Sequence, residues 1–437
     1  MALPTGTTTS TTSGFSAARY AQQIRKELLD FGPFTHVFRS LADVGKLEPG
    51  HTNVYQVNRR RRIPIPLAGA TEGVMPNPEV LQVDDVQGTA TQYVLIVQFT
   101  DVAEIYAFHD LLEDAVIEIK DAMARLDDVV MGTSYLAGTN IVYPGAETTI
   151  SAITASDLLA TQMVRKAVSN LRTGDRTFGA ALPFAGGKLA GIIHEKAVMD
   201  LQQDATWDTY ASRAQLTDLY EKGIINDWEG VLWYKTNFMP QFINLNVADT
   251  GTGTPTTTNP ATASAASPAA TTNFSGVQNY VMTRKDQNFG WEEAISSTLV
   301  SVNITSTQSM TMSTPTDASG NYAYQFYVNT VASGTTLRLV ASNLLASTTF
   351  SVLALPTAGA IAPLAPAVGL TVLPTFIFGK GFVSTVDLSA LEIFITPRVS
   401  TPSDVAVQNR YAGAKFFLGS FLQQNAWGRV LYSATSQ

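Results

Sequence analysis

Cysteine is absent from this chain of 437 residues, so neither disulfides nor thiolate-bound metals can hold its fold. That fits a reducing compartment. Histidine is scarce as well. His36, His51, His109 and His194 are the whole set, no two of them stand at a metal-ligand spacing, and H-E-x-x-H is missing, so no metal site is expected. Charge is sparse at 15%, with a net charge of −8. Between Arg338 and Lys380 there is no charged residue at all, but Pro356, Pro363, Pro366 and Pro374 would break a spanning helix. Uncharged β-structure is expected there, and no membrane association. The opening MALPTGTTTSTTSG has neither a basic start nor an apolar run, so no secretory signal is expected. Catalytic signatures are also wanting: no G-x-S-x-G occurs. The phosphate-loop-like AGGKLAG at 185–191 lacks the earlier glycine and has Leu189 where a hydroxyl is needed, so it reads as a turn into a strand. No catalytic residue, no cofactor and no enzymatic activity are expected.

What is present is organised around one stretch. From Asp101 to about Ala137, apolar side chains recur at helical spacing through Ile105, Phe108, Leu112, Val116, Ile119, Met123, Leu126 and Val130. No proline or glycine interrupts before Gly132. The other faces carry Glu104, Asp110, Glu113, Asp114, Glu118, Asp121, Asp127 and Asp128 against Lys120 and Arg125, which predicts a solvated acidic surface around one dry stripe. With Asp101, nine acids face two bases, so this helix alone carries −7 of the −8. The remainder is close to neutral, which argues against a general nucleic-acid-binding surface. At ~1.5 Å per residue the rod is roughly 50 Å long. It is a backbone for other elements.

Residues 1–14 are too polar to pack, and Ser16 to Leu29 could form a short helix behind them. From Thr52 the pattern turns extended: Val54, Tyr55 and Val57 lead into Arg59, Arg60, Arg61 and Arg62 and then the proline-rich and glycine-rich IPIPLAGATEGVMPNPE. TQYVLIVQFT at 91–100 is the expected partner strand of this long hairpin, which has no core of its own. The arginines could bind phosphate. The favoured alternative is that they alternate across a strand and pair with carboxylates of a neighbouring subunit or domain, since Glu72, Glu79, Asp84 and Asp85 balance them.

After the rod, Ser156 to Leu171 reads as a second helix, capped by Ser156 or Asp157 and followed by Gly174. LAGII before His194, then EKAVMDLQQD, gives strand and helix, and GVLWYKTNF gives another strand, a mixed α/β layer. Asp249 to Gly276 is a Thr, Ala and Pro linker. Beyond it LVSVNITS, NYAYQFYV, TTLRLVAS and TTFSVLAL predict a small antiparallel sandwich or barrel. TFIFGK restores the mixed pattern, and KFFLGSFL with GRVLYSA reads as a closing strand pair.

The order of arm, hairpin, rod, α/β layer and closing strands resembles the major capsid proteins of tailed phages with the Hong Kong 97 (Johnson) fold. RRRRIPIPLAGATEGVMPNPEVLQVDDVQGTATQYVLIVQFTDV, with its T-E-G-V-x-P tip, is similar to the N-four-like capsid family. So are KLAGIIHEKAVMDLQQDATW, FIFGKGFVSTVDL and NAWGRVLYS. The likeness covers about 52–248 and 375–437.

The resemblance implies an α+β shell subunit that forms the hexamers and pentamers of an icosahedral head around double-stranded DNA, assembled in the host bacterial cytoplasm. Its parts would be an N-terminal arm (1–50), an E-loop (51–100), a spine helix and peripheral domain (101–140), an axial domain (141–248), a linker with a β-rich insertion (249–374), and a return through the axial to the peripheral domain (375–437). Residues Arg59, Arg60, Arg61, Arg62, Glu72 and Glu79 would touch neighbouring subunits. Ile105, Leu112, Val116, Ile119, Met123 and Leu126 would form the spine core. Implied partners are other copies, a separate scaffolding protein (only about 50 residues precede the E-loop), a portal, a decoration or cementing protein, and DNA bound without sequence specificity. Some capsids of this fold crosslink through an E-loop lysine. No lysine lies between Lys46 and Lys120, so no such crosslink is expected. The insertion, which such proteins do not all carry, would project outward; the competing reading is a phage or surface adhesin that uses it for binding.

Overall fold

The computed structural model describes residues 35–48, 52–65, 67, 72, 75, 78–100, 111–204, 206, 227–243, 262–265, 276–294, 300–304, 308–313, 322–331, 336–344, 349–352, 355–356, 361–362, 366, 369–396 and 409–436. The expected N-terminal helix and the start of the rod, including Ile105, lie outside them. The chain divides into a larger unit (Phe34–Leu95, Lys120–Glu392, Ala414–Gln437) and a smaller one that holds Ile96–Ile119 and Ile393–Gly413.

Strand β1 (Asp43–Lys46) is followed by β2 (Val54–Arg60), β3 (Val83–Thr89), β4 (Thr91–Thr100) and the rod, α1 (Leu111–Leu136). The hairpin mate of β2 is β3, not the expected 91–100: the antiparallel register runs from Val54↔Thr89 to Arg60↔Val83. Adjacent Asp84 and Asp85 and the following Gly88 hide β3 from a hydrophobic pattern. The ladder accepts them because Asp84 lies opposite Arg59 and because the Phe421 ring lies against Gly88, where a Cβ would come within 2.2 Å of it.

Along α1 the buried row is Ile119, Met123, Met131 and Tyr135, four residues apart except for one position. That position is Asp127. It and Asp128 therefore face inward, correcting the expectation that both are solvated. Arg39 makes this tolerable by bridging Asp127 at 2.8 Å and Asp387 at 2.7 Å, while Asp128 accepts the Phe38 N–H at 3.1 Å.

A seven-stranded mixed sheet forms the centre of the larger unit. Its members are β5 (Ile141–Val142), β6 (Leu189–His194), β7 (Asp227–Trp228), β8 (Val231–Thr236), β9 (Phe242–Ile243) and two strands from the end of the chain; α2 (Thr161–Thr173) and α3 (Glu195–Gln202) cover one face. Helix α2 starts five residues later than expected. Leu158 bridges to Ala434 and the Asp157 carboxylate is taken by the Thr154 N–H and hydroxyl, so neither residue can cap. Instead Asp204 accepts the Thr161 N–H from across the fold at 2.7 Å. Gly174 ends the helix at φ 77°, as expected.

Strands β10 (Thr262–Ala265), β11 (Gly276–Asp286), β12 (Glu292–Ala294), β13 (Val300–Ile304), β14 (Gln308–Ser313), β15 (Tyr322–Asn329), β16 (Leu337–Leu344) and β17 (Thr349–Val352) make two antiparallel sheets. Met310 and Val352 of one sheet pack on Tyr280, Met282, Tyr324, Phe326 and Val328 of the other, which is the expected sandwich. The expected linker also contributes β10, paired with β14.

The chain then supplies β18 (Thr371–Phe378), β19 (Val383–Ile395), β20 (Asn409–Leu422) and β21 (Gly428–Ala434). The central sheet has the order β5-β21-β18-β6-β8-β7, with β9 also on β18, and a four-stranded sheet has the order β1-β19-β20-β4. Thus β20 and β21 close two different sheets rather than pairing with each other. A turn through Asn425–Trp427, with the Gln423 N–H on the Phe382 carbonyl, redirects the chain between them.

Alternation along β18 explains how the layers are joined. Leu373 and Ile377 enter the α2 and α3 core, while Phe376 and Phe378 face an aromatic cluster around Tyr135. Phe38, Phe382 and Trp291 belong to the same cluster, with Phe38 at 5.4 Å from Tyr135 and 6.1 Å from Trp291. Trp291 comes from the β-rich region, which is therefore seated in the main core. In the smaller unit, the Thr396 N–H donates to the Tyr411 carbonyl and the Tyr411 N–H to Thr396 Oγ1, both at 2.9 Å.

Candidate functional site

Among the described residues, the hairpin β2–β3 carries the most exposed large apolar side chains. Its root is firmly packed: Tyr55, Val57 and Val86 join Ala90, Val386 and Phe421 in one apolar cluster. Past Arg60 the ladder ends with the Arg61 N–H on the Gln82 carbonyl. The prolines beyond it donate no N–H, so no further pairing is set up. The hairpin tip is apolar and wet. Leu67 is 91% exposed, Met75 88%, Ile65 and Val80 76%, with Ile63 and Leu81 also more than half exposed. A row of this kind marks a surface that another molecule covers.

The four arginines separate into distinct roles. Arg59 is half-buried: its Nη1 donates to the Gln423 carbonyl at 3.0 Å and Gln424 Oε1 at 3.1 Å, and its guanidinium lies 5.3 Å from the centre of the Phe178 ring. It fastens the hairpin to its own chain. Arg61 donates through Nε to Asp84 Oδ2 at 2.8 Å, and that hydrogen bond holds the Asp84 carboxyl below the usual range. The carboxylate expected on a neighbour thus lies, for these two residues, on the next strand. Sequence spacing could have shown it, since Arg59 and Arg61 share a strand face and V-D-D-V-Q is the only acidic pair in the hairpin. Arg62 is exposed, its N–H donating to the Thr177 carbonyl and its guanidinium lying on Gly179. Arg60, Glu72 and Glu79 are exposed.

Of the spine residues, Ile119 and Met123 are buried and Leu112, Val116 and Leu126 half-buried. Met131 and Tyr135, which the hydrophobic spacing did not single out, are more deeply placed than any of the latter three.

Among the described residues no group of three or more acidic or histidine side chains could hold a metal, and no helix is long and apolar enough to cross a membrane. His194 Nδ1 accepts the Lys196 N–H as the cap of α3, and His36 lies 3.5 Å from Asp128. His51 and His109 lie outside the described residues. The AGGKLAG run is a turn into β6, with Gly186 and Gly187 at positive φ. These features serve the fold.

No protein-family model matches the chain, and no curated protein does. Solved structures do. The capsid of Cyanophage P-SCSP1u is 12% identical, with a TM-score of 0.52 over 96% of this chain and 94% of that one. The acidic stable capsid of Helicobacter pylori bacteriophage KHP30 is 8% identical, with a TM-score of 0.54 over 98% and 99%. The capsid of Ralstonia phage GP4 is 9% identical, with a TM-score of 0.51 over 99% of both. The chain therefore has the Hong Kong 97 (Johnson) fold of tailed-phage capsid proteins.

Proposed function

We propose that this chain is the major capsid protein of a tailed phage, a structural, non-catalytic subunit that builds the hexamers and pentamers of the icosahedral head. One observation carries this reading: a chain that matches capsid structures over nearly its whole length holds out an apolar hairpin tip that its own fold leaves bare. In this reading residues 51–100 are the E-loop, which lies on an adjacent subunit. Arg60, Arg62, Glu72 and Glu79 face the neighbour, while Arg59 and Arg61 hold the loop's root. The shell encloses double-stranded DNA without sequence specificity and works with a scaffolding protein, a portal and a decoration protein, in a virion assembled in the host cytoplasm.

The test is electron microscopy of the chain, expressed alone and with a candidate scaffolding protein, against a variant in which 63–80 is replaced by a short Gly-Ser turn. The parent forms closed shells of uniform diameter. The variant stays soluble and folded, because the Arg61–Gln82 hydrogen bond and everything behind it remain, and forms none. Discrete monomers from the parent would overturn the reading. Boiled, denatured shells run as single subunits, because the hairpin holds no lysine to crosslink; a ladder of multimers would contradict this.

A further inference from the structure

Between α1 and the sheet that holds β1, β19 and β20 lies a groove with the make-up of a ligand site. Met123 of α1 and Phe416 of β20 form its buried floor, and Leu388 and Leu391 of β19 form an apolar wall, with Leu391 42% exposed. The groove measures about 590 Å³, inside the ~300–1,000 Å³ common for binding sites that are mostly apolar with a few polar groups. Arg39 crosses one end, but Asp127 and Asp387 already take up its charge.

The two uncommitted charges along the groove are both positive. Lys46 ends β1, in register with Asp387, and Lys120 lies on α1 two turns before Asp127. Both are exposed, and among the described residues neither makes an ion pair. The other base of the rod, Arg125, is held by Asp121 at 2.8 Å. In a chain with a net charge of −8, two unpaired lysines set beside wet apolar side chains mark a surface for something acidic and apolar at once.

We propose that this groove binds a short acidic and apolar segment of a partner protein, with carboxylates on Lys46 and Lys120 and apolar side chains over Met123, Leu391 and Phe416. This rests on the shell reading and gives its scaffolding partner a surface and a chemistry. A nucleic-acid backbone fits less well, because phosphates would satisfy the lysines but leave Leu391 and the floor in water. A contact this small is weak at one subunit. Repeated over a shell, such contacts sum to a firm hold that is still released one groove at a time.

The probe is a fluorescent five-residue peptide with a carboxylate side chain at each end and leucine, phenylalanine and leucine between, titrated into the full-length subunit and followed by polarisation. Saturable binding is expected, at least about tenfold weaker when lysine replaces both acids. Lys46→Glu combined with Lys120→Glu weakens binding by at least about tenfold. Lys166→Glu, an exposed lysine of α2, leaves it unchanged, and circular dichroism shows each variant folded. No saturable binding, or binding that the double variant retains, overturns the proposal.

Closed shells from a chain that fails to bind the peptide remove the groove and leave the shell reading standing. Peptide binding by a chain that never closes shells does the reverse. Co-expressed with a candidate scaffolding protein, the double variant gives at least about tenfold fewer closed shells than the parent; an equal yield overturns the proposal. A peptide that binds free subunits but is excluded from finished shells assigns the groove to a second copy, which overturns it as well.

Discussion

At the scale of single residues, the fit of Gly132 against Trp291 shows how tightly the rod and the β-rich region are joined. A glycine inside a helix costs about 1 kcal/mol relative to alanine, so alanine here should help if nothing else mattered. A Cβ at 132 would stand 2.3 Å from the Trp291 ring, and that overlap decides the sign. Gly132→Ala is expected to destabilise the chain by about 1–3 kcal/mol. Denaturant unfolding checks it, and adding Trp291→Phe should recover part of the loss. His194 is the second case. Burial, then the neighbouring Lys196, pushes its imidazole down to about 4, against about 6.5 when unfolded. The unfolded chain therefore takes up the proton first. This histidine's contribution is complete above about pH 6.5 and is lost as pH falls toward 4, by at most about 3 kcal/mol. His194→Asn keeps a capping acceptor for Lys196 and removes the titration, so its stability profile should be flatter than the parent's between those pH values.

At the scale of elements, α2 is held at its start by a residue far along the chain. Burial pushes the Asp204 carboxyl up, but the Thr206 and Thr161 N–H groups together hold it below the ordinary range. Asp204→Ala should cost about 1 kcal/mol and Asp204→Asn less, since asparagine also caps; thermal unfolding monitored by circular dichroism distinguishes them. This cap also marks where sequence reading stops. Periodicity located α1, α2, β6 and α3, because each buries one face in its own segment. It misplaced the start of α2, whose cap comes from residue 204 and whose first turn is diverted by pairing with residue 434. It passed over β3, where Val86 is the one member of the strand in the apolar root and the adjacent Asp84, held by Arg59 and Arg61, and Asp85 interrupt the apolar alternation. The arginine motif itself was legible; its division into fastening and outward-facing members required the fold. Asp127 and Asp128 read as solvent-facing because Arg39 and the Phe38 N–H, their partners, lie some ninety residues earlier.

At the scale of the whole molecule, the β-rich region is not a detachable ornament. Trp291 reaches the aromatic cluster around Tyr135, and β18 begins at Thr371, within the span assigned to the insertion. Deleting 249–374 should therefore yield insoluble chain rather than a smaller subunit, as solubility and near-ultraviolet circular dichroism would show. The position of β18 has another consequence. It stands between β6 and β21, yet its start at Thr371 comes 177 positions after the end of β6 at His194. At about 5–20 residues per second a ribosome needs roughly 9–35 s to cross that gap. Throughout that interval one edge of β6 lacks the strand that takes up its backbone N–H and C=O groups in the finished sheet, and an open edge is a template for pairing with other chains. Products that terminate before Thr371 never acquire the strand that joins β6 to β21, so the central sheet closes only when the last stretch of the chain is made.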